Sequence, residues 1–393
     1  MRKMIKMNNL FILLCIIGAV STAQAQQPVA DSVKIEEAKA YYSFGQEYLR
    51  QKNYEKAIES FDKSIEIWPE YFSAYIALAA TYSVVTYMAE AESTYALAKR
   101  LFPDSSKAYE GLALLYLDRK DYEKAITEYN EGLARHPNEV KLIYGLGYVY
   151  MQKKDYATAL GYYNKVLNLD SENLEAMVAI ADLYIEKDSP DSAIGYLLDV
   201  AREKPDNVMI REKLANVYID LKQYTNAAEQ YTHLTTLQPE NYYYFLQLGL
   251  VRQWAKKYSL AETAMKKAHA LSPDNAEVLF RLADLYTGWG KYGTAENYVK
   301  QALEVSPGNP YGDYLYGDIY LRRGYSFYVK WQNNKKKSNC PALNSALSYF
   351  NTAISYFSKI NSDPTFGSYA RSSISSCNKY IEPLNEDKWF YCK

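Results

Sequence analysis

Three histidines, His136, His233 and His269, and four cysteines, Cys15, Cys340, Cys377 and Cys392, are the side chains of this 393-residue chain best suited to hold a metal or attack a substrate. Metal ligation requires several such groups close together, and nucleophilic catalysis requires a base beside the nucleophile. No two histidines have ligand spacing. No CxxC, HExxH, GxSxG or GxxxxGK[ST] run is present to bind metal, activate a serine or cradle a phosphate. The 46 carboxylates single out no acid and base pair. The sequence therefore points away from an enzyme, and no metal or other cofactor is expected. With 45 basic residues against those 46 acidic ones, it also lacks the excess positive charge that a general nucleic-acid binder needs.

The cysteines depend on where the chain goes. Arg2, Lys3 and Lys6 precede an apolar run from Leu10 to Val20, and Ala23-Gln24-Ala25 follows. This order is that of a secretory leader over residues 1–25, cleaved after Ala25. The apolar run is too short for a membrane span, which takes about 20 residues. Leu14 stands before Cys15 where a lipoprotein leader needs a small residue, so no lipid anchor is expected. The mature chain is expected in the periplasm or at the outer membrane, without stable membrane insertion. In an oxidising compartment Cys340, Cys377 and Cys392 allow three alternative bridges. Cys340 to Cys377 is the pairing put forward, tying an inserted segment to a capping helix and contributing about 4 kcal/mol through loop entropy.

The elements that position these residues follow a period of 34. Stepping from Ala38, position 8 reads Gly45, Ala79, Ala113, Gly147, Ala181, Ala215, Gly249, Ala283 and Gly317. Position 11 is Tyr48, Tyr82, Tyr116, Tyr150, Tyr184, Tyr218, Arg252, Tyr286 and Tyr320. Position 20 is alanine at 57, 91, 125, 159, 193, 227, 261 and 295. Position 32 is proline except at Ser171 in the uninterrupted steps. Positions 4, 7, 8 and 11 share one helical face. Small residues at 8 and 20 let two antiparallel helices approach, and proline ends the second helix. A single pair cannot bury its apolar face, so the pairs must stack. Many of the chain's 42 tyrosines are this packing pattern repeated.

These positions resemble the tetratricopeptide repeat, from about Ala38 to Ile360. The resemblance implies an all-α, right-handed superhelical solenoid of about nine helix-turn-helix repeats. Residues 26–37 are expected as an N-terminal linker, and 361–393 as a capping helix, from about Pro364 to Ile381, with a tail. The ninth repeat is interrupted at about 325–345. Its second helix resumes with Ala346, Phe350 and Ala353 as positions 20, 24 and 27, so about 17 residues are inserted, read mainly as a solvated loop.

In this family the first helices line a groove, and positions 2, 5, 9 and 12 face it. The expected partner-binding residues are Tyr42, Tyr144, Tyr148, Asp182, Asn216, Tyr243, Phe280, Asp284, Tyr311, Tyr314 and Asp318. The lysine and asparagine set with which some relatives clamp a peptide carboxylate is missing, which disfavours an acidic chaperone-type tail. The reading that follows is a non-catalytic scaffold of the bacterial cell envelope, associated with an envelope complex and holding a peptide or protein in the groove. A glycan- or peptidoglycan-binding module using groove tyrosines is the alternative.

Overall fold

The computed structural model describes residues 28–392, and the expected leader lies outside them. Among these residues the chain is helical, with no strand. In order, the helices are α1 Pro28–Arg50, α2 Tyr54–Ile67, α3 Phe72–Val84, α4 Met88–Leu101, α5 Ser106–Asp118, α6 Tyr122–Arg135, α7 Val140–Gln152, α8 Tyr156–Leu169 and α9 Leu174–Glu186. They continue as α10 Pro190–Glu203, α11 Val208–Asp220, α12 Tyr224–Leu237, α13 Tyr242–Trp254, α14 Tyr258–Leu271, α15 Ala276–Gly288 and α16 Tyr292–Val305. The chain ends in three long helices, α17 Pro310–Gln332, α18 Cys340–Lys359 and α19 Gly367–Tyr391. The chain divides into two compact units, one ending at Ala176 and the other starting at Met177.

The 34-residue period is written into the backbone. At position 15 the chain turns through positive φ, at Lys52, Thr86, Lys120, Lys154, Asp188, Lys222, Lys256 and Gly290. Each turn is closed by the amide of position 16 donating to the carbonyl of position 11, as Asn53 to Tyr48 at 2.8 Å and Asp121 to Tyr116 at 2.8 Å. That bond satisfies a carbonyl which the end of the first helix would otherwise leave unpaired. Asn53, Asp121 and Asp155 then cap the second helix, each side chain accepting from an amide three residues on. Every alanine at position 20 is fully buried, which is why no larger residue stands there.

The expected linker before Ala38 is instead the first part of α1, which begins at Pro28. Proline suits the first turn of a helix, where its missing amide costs nothing, and no further proline stands between Val29 and Arg50.

The interruption after Tyr320 is a lengthened helical hairpin. Gly324 falls at position 15, where the preceding repeats turn, yet α17 runs on to Gln332. Its place is explained by packing, because a Cβ at Gly324 would lie 2.7 Å from the Phe350 ring. A Cβ at Gly317 would lie 2.5 Å from the Phe357 ring. In unit 1, Gly45 meets Phe61 in the same way, position 8 against position 24. Phe357, not Phe350, is therefore the position-24 residue of this repeat, and Phe350 fills an added layer nearer the tip. Most of the insertion extends the two helices, and only 333–339 connects them. The repeat pattern favoured Phe350 because Ala346 and Ala353 flank it at the right spacing, and the extra layer repeats that spacing seven residues later.

α19 is longer than expected and closes unit 2. It lays Ala370, Ser373, Cys377 and Leu384 on a cluster with Trp331, Leu343, Phe350 and Phe357. Its opposite side carries exposed Arg371, Ser375, Asn378 and Lys379, as the outer face of a terminal cap requires. The bridge expected between Cys340 and Cys377 is instead Cys340–Cys392, with Cα atoms 5.7 Å apart. α19 runs back along α18, so its end returns to the start of that helix. Cys377 lies some four turns earlier, about 22 Å along the axis. It is fully buried, and burial pushes its thiol up to about 11, keeping it protonated.

Candidate partner-binding face

In unit 1, α3 touches α5 and α5 touches α7; in unit 2, α13 touches α15 and α15 touches α17. First helices therefore stand side by side in each unit, and their positions 2, 5 and 9 line that side. The eleven expected residues divide into groups with different fates on it.

Position 5 is mostly packing. Tyr42 lies against Phe61 and Tyr71, with ring centroids 5.7 and 5.2 Å away, and Tyr144 against Tyr163 at 5.4 Å. Phe280 is only 2% exposed and packs on Tyr311 at 5.3 Å. Tyr311 and Tyr314 are covered by Phe366, at 5.5 and 5.2 Å, from the approach to the terminal helix. These side chains were expected on an open groove. A side chain at position 5 instead packs on the position-24 ring of its own repeat or on the next repeat, or, at the end of unit 2, meets the cap.

The carboxylates of unit 2 are held by neighbouring side chains. Lys213 Nζ donates to Asp182 at 2.5 Å, Gln253 Nε2 to Asp284 at 2.8 Å, and Tyr369 OH to Asp318 at 3.1 Å. Arg322 Nε also donates to Asp318, at 2.7 Å. Half-buried or buried carboxylates need such partners, since desolvation without them is costly. Burial raises the pKa of Asp284, helped by the nearby Asp318 charge and opposed by the Gln253 hydrogen bond. Its folded pKa is therefore above the unfolded one, so ionisation costs stability as pH rises through and beyond the ordinary aspartate range. Asp284→Asn, which can still accept from Gln253, is expected to raise the melting temperature at neutral pH and to leave it unchanged in acid. Thermal scans at both pH values check this.

Tyrosines at position 11 form a second set of ties that the repeat pattern alone did not reveal. Tyr116 OH donates to Glu92 at 2.9 Å, and Tyr286 OH donates to Glu262. Both glutamates occupy position 21 of the preceding repeat. Burial, then the Glu92 hydrogen bond, pushes Tyr116 up to about 12. A tyrosine at 11 following a glutamate at 21 was the available signal.

Three expected residues are exposed: Tyr148 at position 9 and Tyr243 at position 2, with Asn216 at position 9. In unit 1, Leu114 stands at position 9 one repeat before Tyr148; the two are 49% and 41% exposed. Lys107 and Lys141 lie seven residues before them on the same helical faces, both exposed. Leu114 and both lysines share the inner stripe of positions 2, 5 and 9 with the expected residues. A larger cleft, about 910 Å³, lies on the other side of unit 1 between α4 and α6. Lys99 crosses it to Glu128 and Glu131 at 2.7 and 2.6 Å, so its polar walls already satisfy one another.

The histidines stay apart: His136 follows α6, His233 is in α12 and His269 in α14. Among the described residues there is no cluster of potential metal ligands, and no helix is long and apolar enough to cross a membrane.

Models of the tetratricopeptide repeat match residues 38–71, 89–140, 150–217, 210–241 and 276–309. No curated protein matches the sequence. Among solved structures, the chain is similar to a tetratricopeptide repeat protein from Parabacteroides merdae, at 18% identity and TM-score 0.43, covering 60% of this chain and 94% of that one. It is also similar to PilW, a type IV pilus biogenesis factor, at 16% identity and TM-score 0.46, covering 55% and 97%. YrrB, described as having an unusual peptide-binding site, is 20% identical with TM-score 0.39, covering 47% and 95%.

Proposed function

Because the chain belongs to the tetratricopeptide repeat family, we propose that it is a non-catalytic scaffold that binds a peptide or protein along the first-helix face of unit 1. The observation that carries this is the exposed pair Leu114 and Tyr148, on α5 and α7 of that face, bordered by Lys107 and Lys141. Exposed apolar side chains aligned in this way gain by being covered. A tyrosine adds contact area with little rotamer entropy to lose, and the lysines favour a segment with acidic residues beside its apolar ones. The leader pattern of residues 1–25 supports placing this scaffold in the cell envelope.

The test is a photo-crosslinking residue at Glu110, between Lys107 and Leu114 on α5, in the native host. Specific protein adducts are expected. Leu114→Ser with Tyr148→Ala should weaken them by roughly thirtyfold, the scale of one interface hot spot. Adducts that are unchanged by the double substitution, or a complete absence of specific adducts, would overturn this reading.

A further inference from the structure

The end of unit 2 carries a second exposed surface. The last turn of α19 presents Trp389 and Phe390, 58% and 72% exposed, with ring centroids 4.8 Å apart. Phe390 is the most exposed of the large hydrophobic side chains among the described residues. This last turn of the helix is fixed in place. Cys392 is bridged to Cys340, Trp331 Nε1 donates to Asp387 at 2.8 Å, and Tyr391 packs on Trp331 at 5.8 Å. Lys335 reaches the same carboxylate at 2.8 Å, which brings the 333–339 connection against the end of the helix.

The charge at this tip is mostly positive. Lys330, Lys335, Lys336, Lys337 and Lys388 are all exposed, and only Glu386 and Asp387 oppose them within 330–340 and 386–392. Asp387 is already taken up by Trp331 and Lys335. Exposed tryptophan and phenylalanine encircled by lysines have the chemistry of the bilayer interface. Aromatic rings settle at headgroup depth, while lysine stems lie along the apolar layer and keep their ammonium groups among lipid phosphates. A protein partner of opposite charge would also meet the lysines, but two adjacent, largely exposed aromatic rings suit a soft surface that they can enter.

We propose that this disulfide-closed tip is a peripheral contact for an anionic phospholipid surface, with Trp389 and Phe390 entering the interface and Lys336 and Lys388 facing the phosphates. The contact holds the end of unit 2 at a membrane.

Flotation of the full disulfide-bonded chain with vesicles tests it. Vesicles of equal parts phosphatidylglycerol and phosphatidylcholine are expected to carry the chain, and vesicles of phosphatidylcholine alone to leave it behind. Trp389→Ser with Phe390→Ser should reduce retention by roughly tenfold or more, as for losing one buried aromatic side chain. Lys336→Gln and Lys388→Gln should each reduce it about fivefold, and added salt should mimic them. Trp389→Phe should keep the binding but lose quenching of the tryptophan emission by brominated lipid. An unchanged circular dichroism spectrum and melting temperature would show that the variants are folded. Retention that survives the aromatic double substitution would overturn the proposal, whichever other segment then carried it. So would the absence of retention, or a concentration-dependent dimer abolished by that substitution, which would assign the patch to a second copy of the chain.

Discussion

Truncating Phe357 to alanine is expected to destabilise the terminal hairpin by about 3–5 kcal/mol, the range for removing a buried aromatic side chain. Phe357 is fully buried, and it packs where Gly317 leaves no side chain of its own. Because repeat arrays can unfold in parts, the measurement should be local. Trp331 is suited to it, since it is fully buried in the same cluster. Urea unfolding followed by its emission, with the other tryptophans replaced by phenylalanine, should show the loss. The same experiment tests the packing register. Gly317→Ala places a Cβ 2.5 Å from the Phe357 ring, so it should destabilise the parent. In a Phe357→Ala background it should be neutral or stabilising, because the added methyl enters the cavity. If Gly317→Ala were instead relieved by Phe350→Ala, the hairpin would have the register of the repeat period and the observed layer assignment would fail.

Opening the Cys340–Cys392 bridge is expected to have an effect of similar size. The cysteines are 52 residues apart in sequence, and closing a loop of that length in the unfolded chain corresponds to about 4 kcal/mol. Cys392→Ser should lower the stability reported by Trp331 by up to that amount, and reductant should do the same to the parent. Cys377→Ser should behave differently. It removes no bridge and places a hydroxyl in an apolar cluster, so its cost should be insensitive to reductant. Peptide mapping without reductant should recover a peptide joining residues 340 and 392. Recovery of a Cys340–Cys377 peptide would restore the pairing that the structure replaces. The bridge also bears on the proposed membrane contact, because it fixes the end of α19 that carries Trp389 and Phe390.

The helical repeat was legible because its determinants are local. Alanine at position 20, glycine or alanine at 8 and tyrosine at 11 recur every 34 residues, and each describes a contact within one helix pair or with the next. The structure buries every one of those alanines completely. The candidate face was legible only in part. A position number places a residue on the inner side of a first helix, but not whether a neighbour already covers it. Tyr144 and Tyr148 are four residues apart on α7; the first packs on Tyr163 and the second is exposed. Asp182, Asp284 and Asp318 looked like groove carboxylates until Lys213, Gln253, Arg322 and Tyr369 were seen to hold them.

By itself the sequence determined the helix pairs, their turns and their stacking, since short-range packing with a fixed period is repeated along one chain. Tertiary structure alone decided three things that depend on residues meeting from outside that period. These are the extra layer set by Phe350 against Gly324, the return of Cys392 to Cys340 along α18, and the cover that Phe366 and Tyr369 place over Tyr311, Tyr314 and Asp318. Each is fixed by where an elongated helix ends, a quantity that no repeat pattern encodes.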